Sequence, residues 1–261
     1  MAGNRVGSDT MKTVCIVQSR MGSTRLKGKA LLPLAGKSLT QNLLERVKRA
    51  TKLDAVVLAV PATPENECLW QVAHDAGCEF YWYKGDENDL VGRYLACAKS
   101  FDADIIVRVP GDNPCVEPEY IDSAIDNFFQ RPYLFYSNTM VHLQLKPSIP
   151  YRTKWVDGLG CEIFTLSRLQ WIDKMTLGNL KFREHPHLYW ENFVKGCDCD
   201  NQEFAIAVAD SPPRIIIPLR LDVNTLADYE FIREIYDHFG HNRFTIEEVL
   251  EYLDQKEAVH G

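Results

Sequence analysis

The chain has 261 residues, 46% of them hydrophobic, and a formal net charge of −7 at pH 7. That length suits a single α/β domain with a sizeable core. The acidic balance argues against a nucleic-acid binder, which needs a broad basic surface, and no apolar run approaches the ~20 residues of a membrane-spanning helix.

Residues 1–12 are polar, lack an apolar signal core and read as a flexible leader. A strand is expected at TVCIVQ (13–18), a β-branched run. Leu39, Leu43, Leu44 and Val47 recur at helical spacing over 38–50, with Ser38 as N-cap. AVVLAV (55–60) reads as a second buried strand, 64–77 as a helix closed by Gly77, CEFYWY (78–83) as an aromatic strand and 88–101 as a helix. DIIVRV (104–109) is a third strong strand, stopped by PGDNP, and 118–129 a helix with proline in its first turn.

This alternation predicts a parallel, doubly wound sheet, whose ligands bind beyond the carboxyl ends of the strands. The loops at 18–29, 60–64 and 110–115 are therefore the ones to inspect. Residues 130–200 change character and read as an α+β insertion, with a strand pair near YLFYSN and GCEIFTL and helices near 166–175 and 182–195. Within it, Trp171, Tyr189, Trp190 and Phe193 read as core or dimer contacts, and His142 and His187 as surface or interface residues. A return strand over 214–224 and two helices follow, the second opened by the capping-box pair Thr245 and Glu248. The expected organisation is one domain over 13–261: a first α/β half (13–129), the insertion (about 130–200) and a C-terminal return (201–261). The eight cysteines are scattered without a CxxC pair and read as reduced structural thiols of a cytoplasmic protein.

The loop after the first strand, QSRMGSTRLKGK, concentrates cations. No acidic residue occurs between positions 10 and 44, a window holding Lys12, Arg20, Arg25, Lys27, Lys29 and Lys37. Gly22 and Gly28 permit close backbone approach, and Ser23 and Thr24 add hydroxyl donors. Such a loop suits a polyanion, gripped by arginine forks and lysine point charges. It is neither a Walker P-loop nor a Rossmann fingerprint. Asp112 and the pair Asp222 and Asn224 stand at strand ends. A carboxylate facing a phosphate-binding loop suits Mg²⁺, which takes one or two carboxylates plus phosphate oxygens.

IVQSRMGSTRLKGKALLPLAGKSL resembles the N-terminal signature of the CMP-sugar synthetase-type cytidylyltransferases, and within them the branch called spore-coat polysaccharide biosynthesis protein F. The resemblance continues through ENDLVGRY (87–94), RVPGDNP (108–114), VDGLGCEIF (156–164), REH (183–185) and LDVNTLADYEFI (221–232), nearly the whole chain in order.

It implies a GT-A/Rossmann-like mixed sheet, a homodimer and CMP transfer from CTP to a sugar or sugar-acid-like acceptor. It further implies that Arg20, Ser23, Arg25 and Lys29 hold the triphosphate, with Arg20, Lys29 and Asp112 as the catalytic set. Gln18, Gly22, Thr24, Ala59, Pro61, Arg93 and Gly111 would complete the nucleotide site, the pyrimidine lying near 59–62. Mg²⁺ would sit on Asp112, Asp222 and Asn224. Asp157, Glu162, Glu184 and His185 match motif positions on the acceptor side. Two departures stand out: Asn224 replaces a metal-binding aspartate, and Lys27 stands where proline is common. Other readings are a nucleotidyltransferase with another NTP or a phosphorylated non-sugar acceptor, a GT-A glycosyltransferase, or a catalytically weakened nucleotide-binding protein.

Overall fold

A computed structural model describes residues 11–130, 135–138, 158–184, 206–208 and 219–260. Its first strand, β1 (Thr13–Gln18), is buried along nearly its whole length, as an apolar run in a parallel sheet must be. Its neighbours are β4 (Ala55–Pro61) and β6 (Ile105–Pro110), both parallel to it, with Ile16 opposite Val57 on one side and Arg108 on the other. Outside β4 lies β5 (Glu79–Tyr83), also parallel. Beyond β6 come β8 (Glu162–Thr165), antiparallel to it, then β7 (Phe135–Ser137) and β9 (Ile206–Val208). Among the described residues the sheet therefore runs β5-β4-β1-β6-β8-β7-β9, mixed in direction. A small hairpin, β2 (Pro33–Leu34) and β3 (Lys37–Ser38), lies apart.

Alternate residues of each strand face opposite layers. Cys15, Val17, Leu58, Val60, Val107 and Val109 pack with helices α1 (Leu39–Val47), α2 (Cys68–Asp75) and α4 (Pro118–Gln130). Val14, Ile16, Val57, Ala59 and Ile106 pack on the other face with α3 (Leu90–Ser100) and α5 (Leu166–Met175). A short α6 (Leu180–Glu184) follows, and two C-terminal helices, α7 (Leu226–Phe239) and α8 (Ile246–His260), complete the described chain. The inner face of α7, including Ile232, Ile235 and Tyr236, meets Leu34, Leu39, Leu221 and Val223 in a third cluster.

The expected elements of the first 130 residues form where predicted, and Ser38 caps α1 by accepting from the Gln41 N–H. Thr245 and Glu248 make both bonds of their capping box. The strand pair near 135 and 162 also forms, but it continues the main sheet through β8 and β6. The return strand needs correction in its described part: Arg220 makes an isolated bridge and 221–224 are irregular. There Leu221 and Val223 bury their side chains beneath α7, while the Val223 N–H goes to the Asp112 carbonyl rather than into a ladder. Residues 214–218 and most of the second expected insertion helix lie outside the described residues.

The described cysteines are free thiols, four of them buried and Cys78 half-buried. Cys15, Cys97, Cys115 and Cys161 are buried and unbonded, and burial pushes the Cys115 thiol up to about 12. Cys68, at the start of α2, is exposed instead.

Candidate active site

Strand order reverses at β1, whose neighbours lead to opposite halves of the sheet, and a crevice opens there at the carboxyl ends. The cleft has a volume of about 300 Å³. Gln18, Ser19, Arg20, Ser23, Thr24, Arg25 and Lys29 from the basic loop line one side, and Arg108, Pro110, Gly111 and Asp112 from β6 and its loop line the other. Glu87, Asn88, Leu90 and Glu184 close the third side.

The basic loop is held open by its own backbone. Gly28, at φ 71°, donates to the Met21 carbonyl at 3.2 Å, closing the loop through a conformation that favours glycine. Met21 N–H donates to buried Asn66 Oδ1 at 2.8 Å, and the Asn66 amide is itself anchored to Thr63 Oγ1 at 2.7 Å. Asn66 thus ties the loop to the end of β4.

Two of the loop's cations, Arg20 and Lys29, are paired with the cleft's own acids. Arg20 donates to Asn88 Oδ1 at 2.8 Å and lies 3.8 Å from the Glu87 carboxylate and 3.9 Å from that of Glu184. Lys29 Nζ bonds Asp112 Oδ2 at 3.2 Å and the Val223 carbonyl at 2.8 Å. Asp112 Oδ1 accepts no hydrogen bond among the described residues. Arg25 and Lys27 are exposed.

Behind the third side is a buried network. Asp89 caps α3 by accepting from the Gly92 N–H at 2.8 Å, and also accepts from Tyr83 Oη and Arg183. Arg183 reaches Asp173 of α5 as well, fixing α6 and so Glu184. Burial and the Asp89 carboxylate push the Tyr83 phenol up to about 12, so it stays a donor. Arg93 is fully buried and holds the Glu87 carbonyl, leaving Nε and Nη1 without a partner among the described residues. Burial pushes its guanidinium down to about 10.

On the β6 side, Arg108 pairs with Glu162 of β8 at 2.7 Å, both nearly buried, with Tyr94 packed 5.9 Å from the guanidinium. Burial alone would lower the Arg108 pKa, but Glu162 carries it above its ordinary value.

The structure therefore gathers Gln18, Arg20, Ser23, Thr24, Arg25, Lys29, Gly111, Asp112 and Glu184 around one cleft. It does not bring every expected residue there. Ala59 and Pro61 are buried within β4, Gly22 is exposed outside the lining, and Arg93 works beneath Glu87. Glu162 faces Arg108 rather than the opening. Asp222 lies outside the lining, its carboxylate clamped by Arg220 at 3.0 and 2.8 Å and bonded by the Asn224 amide. Asp157 and His185 lie outside the described residues, as do His142, His187, Tyr189, Trp190 and Phe193. Trp171 packs against the core as expected.

Sequence reasoning missed Glu87, Asn88, Asn66 and Arg108. Arg108 had a signal, since a cation inside the apolar run DIIVRV needs a buried counter-charge.

Residues 14–236 match the family described as Cytidylyltransferase. Over 232 residues, 86% of each chain, the sequence is 27% identical to the spore coat polysaccharide biosynthesis protein SpsF of Bacillus subtilis. It is 36% identical over 124 residues, 48% of each chain, to the 3-deoxy-manno-octulosonate cytidylyltransferase of Trichlorobacter lovleyi. A cytidylyltransferase structure from Leptospira borgpetersenii superposes with a TM-score of 0.80 at 29% identity, covering 95% of this chain and 96% of that one.

Proposed function

Because the chain belongs to the cytidylyltransferase family, and so is a nucleotidyltransferase, we propose that it transfers CMP from CTP to a sugar or sugar-acid-like acceptor, releasing pyrophosphate in surface-glycan precursor synthesis. One observation carries this reading: Arg20, Arg25 and Lys29 converge with Asp112 on a cleft at the strand carboxyl ends. Three loop cations that line the cleft with Asp112, Glu87 and Glu184 offer a triphosphate donors for its oxygens.

Arg20 and Lys29 rest on carboxylates that a triphosphate would replace. Arg20 would leave Glu87 and Glu184 for phosphate oxygens, its planar fork matching them bidentately. Lys29 would shift from Asp112 toward the bridging and leaving phosphates. Ser23 and Thr24 add hydroxyl donors, and Gly111 lets the chain carrying Asp112 lie against the end of β1. An acceptor oxygen attacks the α-phosphorus, its bond to the β-phosphate bridging oxygen breaks, and pyrophosphate departs. The chain's residues contribute position and charge, which dominate phosphoryl-type transfer.

Asp112 fits a magnesium ion brought by the nucleotide, since one of its oxygens accepts no hydrogen bond among the described residues and Mg²⁺ needs few protein ligands. Bound there, the ion would neutralise phosphate charge. Asp222 joins it only if Arg220, half exposed, releases its carboxylate. Asn224 would add a carbonyl without charge. The reading includes a cytoplasmic homodimer, for which light scattering should give twice the 29.9 kDa chain mass.

The test is pyrophosphate release with each NTP and Mg²⁺ over a panel of acid sugars and phosphorylated polyols. Turnover should require CTP, and turnover with another NTP but not CTP overturns the assignment. Lys29→Met should lower kcat/KM for CTP on the order of 10²-fold. Unchanged turnover in Asp112→Ala would remove that residue from the metal site, whereas Asn224→Asp should raise apparent Mg²⁺ affinity.

A further inference from the structure

A second concavity, a groove of about 470 Å³, shares no lining residue with the cleft. It runs along the outer side of α1 to the turn at 240–243 between α7 and α8. Its charged lining comprises Lys37, Lys48, Arg49 and Arg243 against a single carboxylate, Glu45, in a chain whose net charge is −7.

That carboxylate is already committed. Lys37 Nζ contacts both Glu45 oxygens at 2.8 and 2.7 Å, and Gln41 and Asn242 donate to them as well. Three cations are left. Among the described residues Lys48 donates only to the carbonyls just past α2, at Ala76 and Gly77. Among the described residues Arg49 donates only to Asn242, at 3.1 and 2.6 Å, using one N–H of each terminal nitrogen. The Arg243 side chain makes no hydrogen bond or ion pair among the described residues. Burial, then the neighbouring cations Arg46 and Arg243, lower the Arg49 pKa.

The groove is also built in advance. Asn242 is buried and held by Asn42, Glu45, Arg46 and Arg49 together, so the turn carrying Arg243 is docked on α1 before any ligand arrives. The volume lies in the range of small-molecule sites, about 300–1,000 Å³. Uncompensated charge, free guanidinium N–H groups and a fixed geometry together specify a ligand. We propose that this groove is a second anion site, separate from the cleft, for a small phosphate-class polyanion. A monocarboxylate would answer one of the three cations. A di- or oligophosphate answers all of them and offers the oxygens that arginine forks match.

Inorganic pyrophosphate is a suitable probe, titrated calorimetrically at low salt in the presence of a chelator. The wild-type chain should bind two per chain, one at each site. Arg243→Glu should weaken one site at least tenfold and leave the other, and Arg20→Ala should do the reverse. Lys48→Gln should weaken the same site as Arg243→Glu, and binding there should fade as ionic strength rises. Circular dichroism of each variant verifies that the fold is intact. A single wild-type site, lost in Arg20→Ala and untouched by Arg243→Glu, overturns the proposal. A single site with the opposite pattern upholds it and counts against the cleft as the triphosphate site. No binding by the wild type overturns it outright.

Discussion

A Cβ built on Gly111 would fall well inside van der Waals contact distance of the Gln18 carbonyl oxygen, which is backbone and cannot swing away. Gly111 precedes Asp112, so this close approach brings the loop carrying Asp112 against the end of β1, where the basic loop begins. Gly111→Ala should cost about 1–3 kcal/mol, the usual price of overpacking, and shift the urea midpoint at an unchanged m-value. An unaltered midpoint would mean the two loops can part without loss. At the same scale, the residues read from charge alone proved the most legible. Arg20, Arg25, Lys29 and Asp112 meet in one cleft because each follows a strand whose direction the apolar pattern reveals. Ala59, Pro61 and Arg93 are different, for sequence does not tell which way a side chain at the end of β4 or in the first turn of α3 points. Arg93 turns inward because the Glu87 carbonyl is its partner.

Among the elements, α7 is placed by a cap that the sequence reading passed over. Thr225 accepts from the Asp228 N–H, and the Asp228 carboxylate accepts from the backbone of Thr225 and Asn224. The cap fixes the start of the helix directly after Asn224, so it also positions the 222–224 segment beside Asp112. Thr225→Ala should lower stability by about 0.5–2 kcal/mol, measured by chemical denaturation. Slight burial would raise the Asp228 pKa, but the Thr225 and Asn224 N–H groups outweigh it and hold the carboxyl below its usual 3.8. A depressed folded-state pKa contributes stability that is full above 3.8 and is lost as pH falls through the folded value. Wild-type stability should therefore decline more steeply than that of Asp228→Asn below about pH 4. Parallel curves would show that the cap carries no titrating stability.

Across the whole molecule, Arg46 joins parts far apart in sequence. It is fully buried, and it donates to the Val116 carbonyl at 2.8 Å, to the Asn242 and Phe244 carbonyls at 2.8 and 3.0 Å, and to Glu117 at 3.0 Å. Its guanidinium also lies 4.7 Å from the Phe244 ring centre. One side chain thus links α1, the entry to α4 and the turn between α7 and α8. Removing it leaves Glu117 buried without its cation, so Arg46→Ala should cost about 3–5 kcal/mol. Asp237→Ala, which breaks the exposed pair with Arg233 at 4.0 Å, should cost at most about 1 kcal/mol. A comparable loss in the two variants would argue that burial does not set the scale here.

The sequence by itself determined the alternation of strands and helices through residue 130, the direction in which strands deliver their loops, and the clustering of cations after β1. These follow from local periodicity and from charge, which are written along the chain. The tertiary structure alone decided that the strands at 135 and 162 extend the main sheet, and that Glu162 answers Arg108. It alone decided that Asp222 faces Arg220, and that Arg49 and Arg243 share a groove. Each of these depends on which distant group a polar side chain finds when it leaves water, and a buried charge takes the partner that packing brings to it.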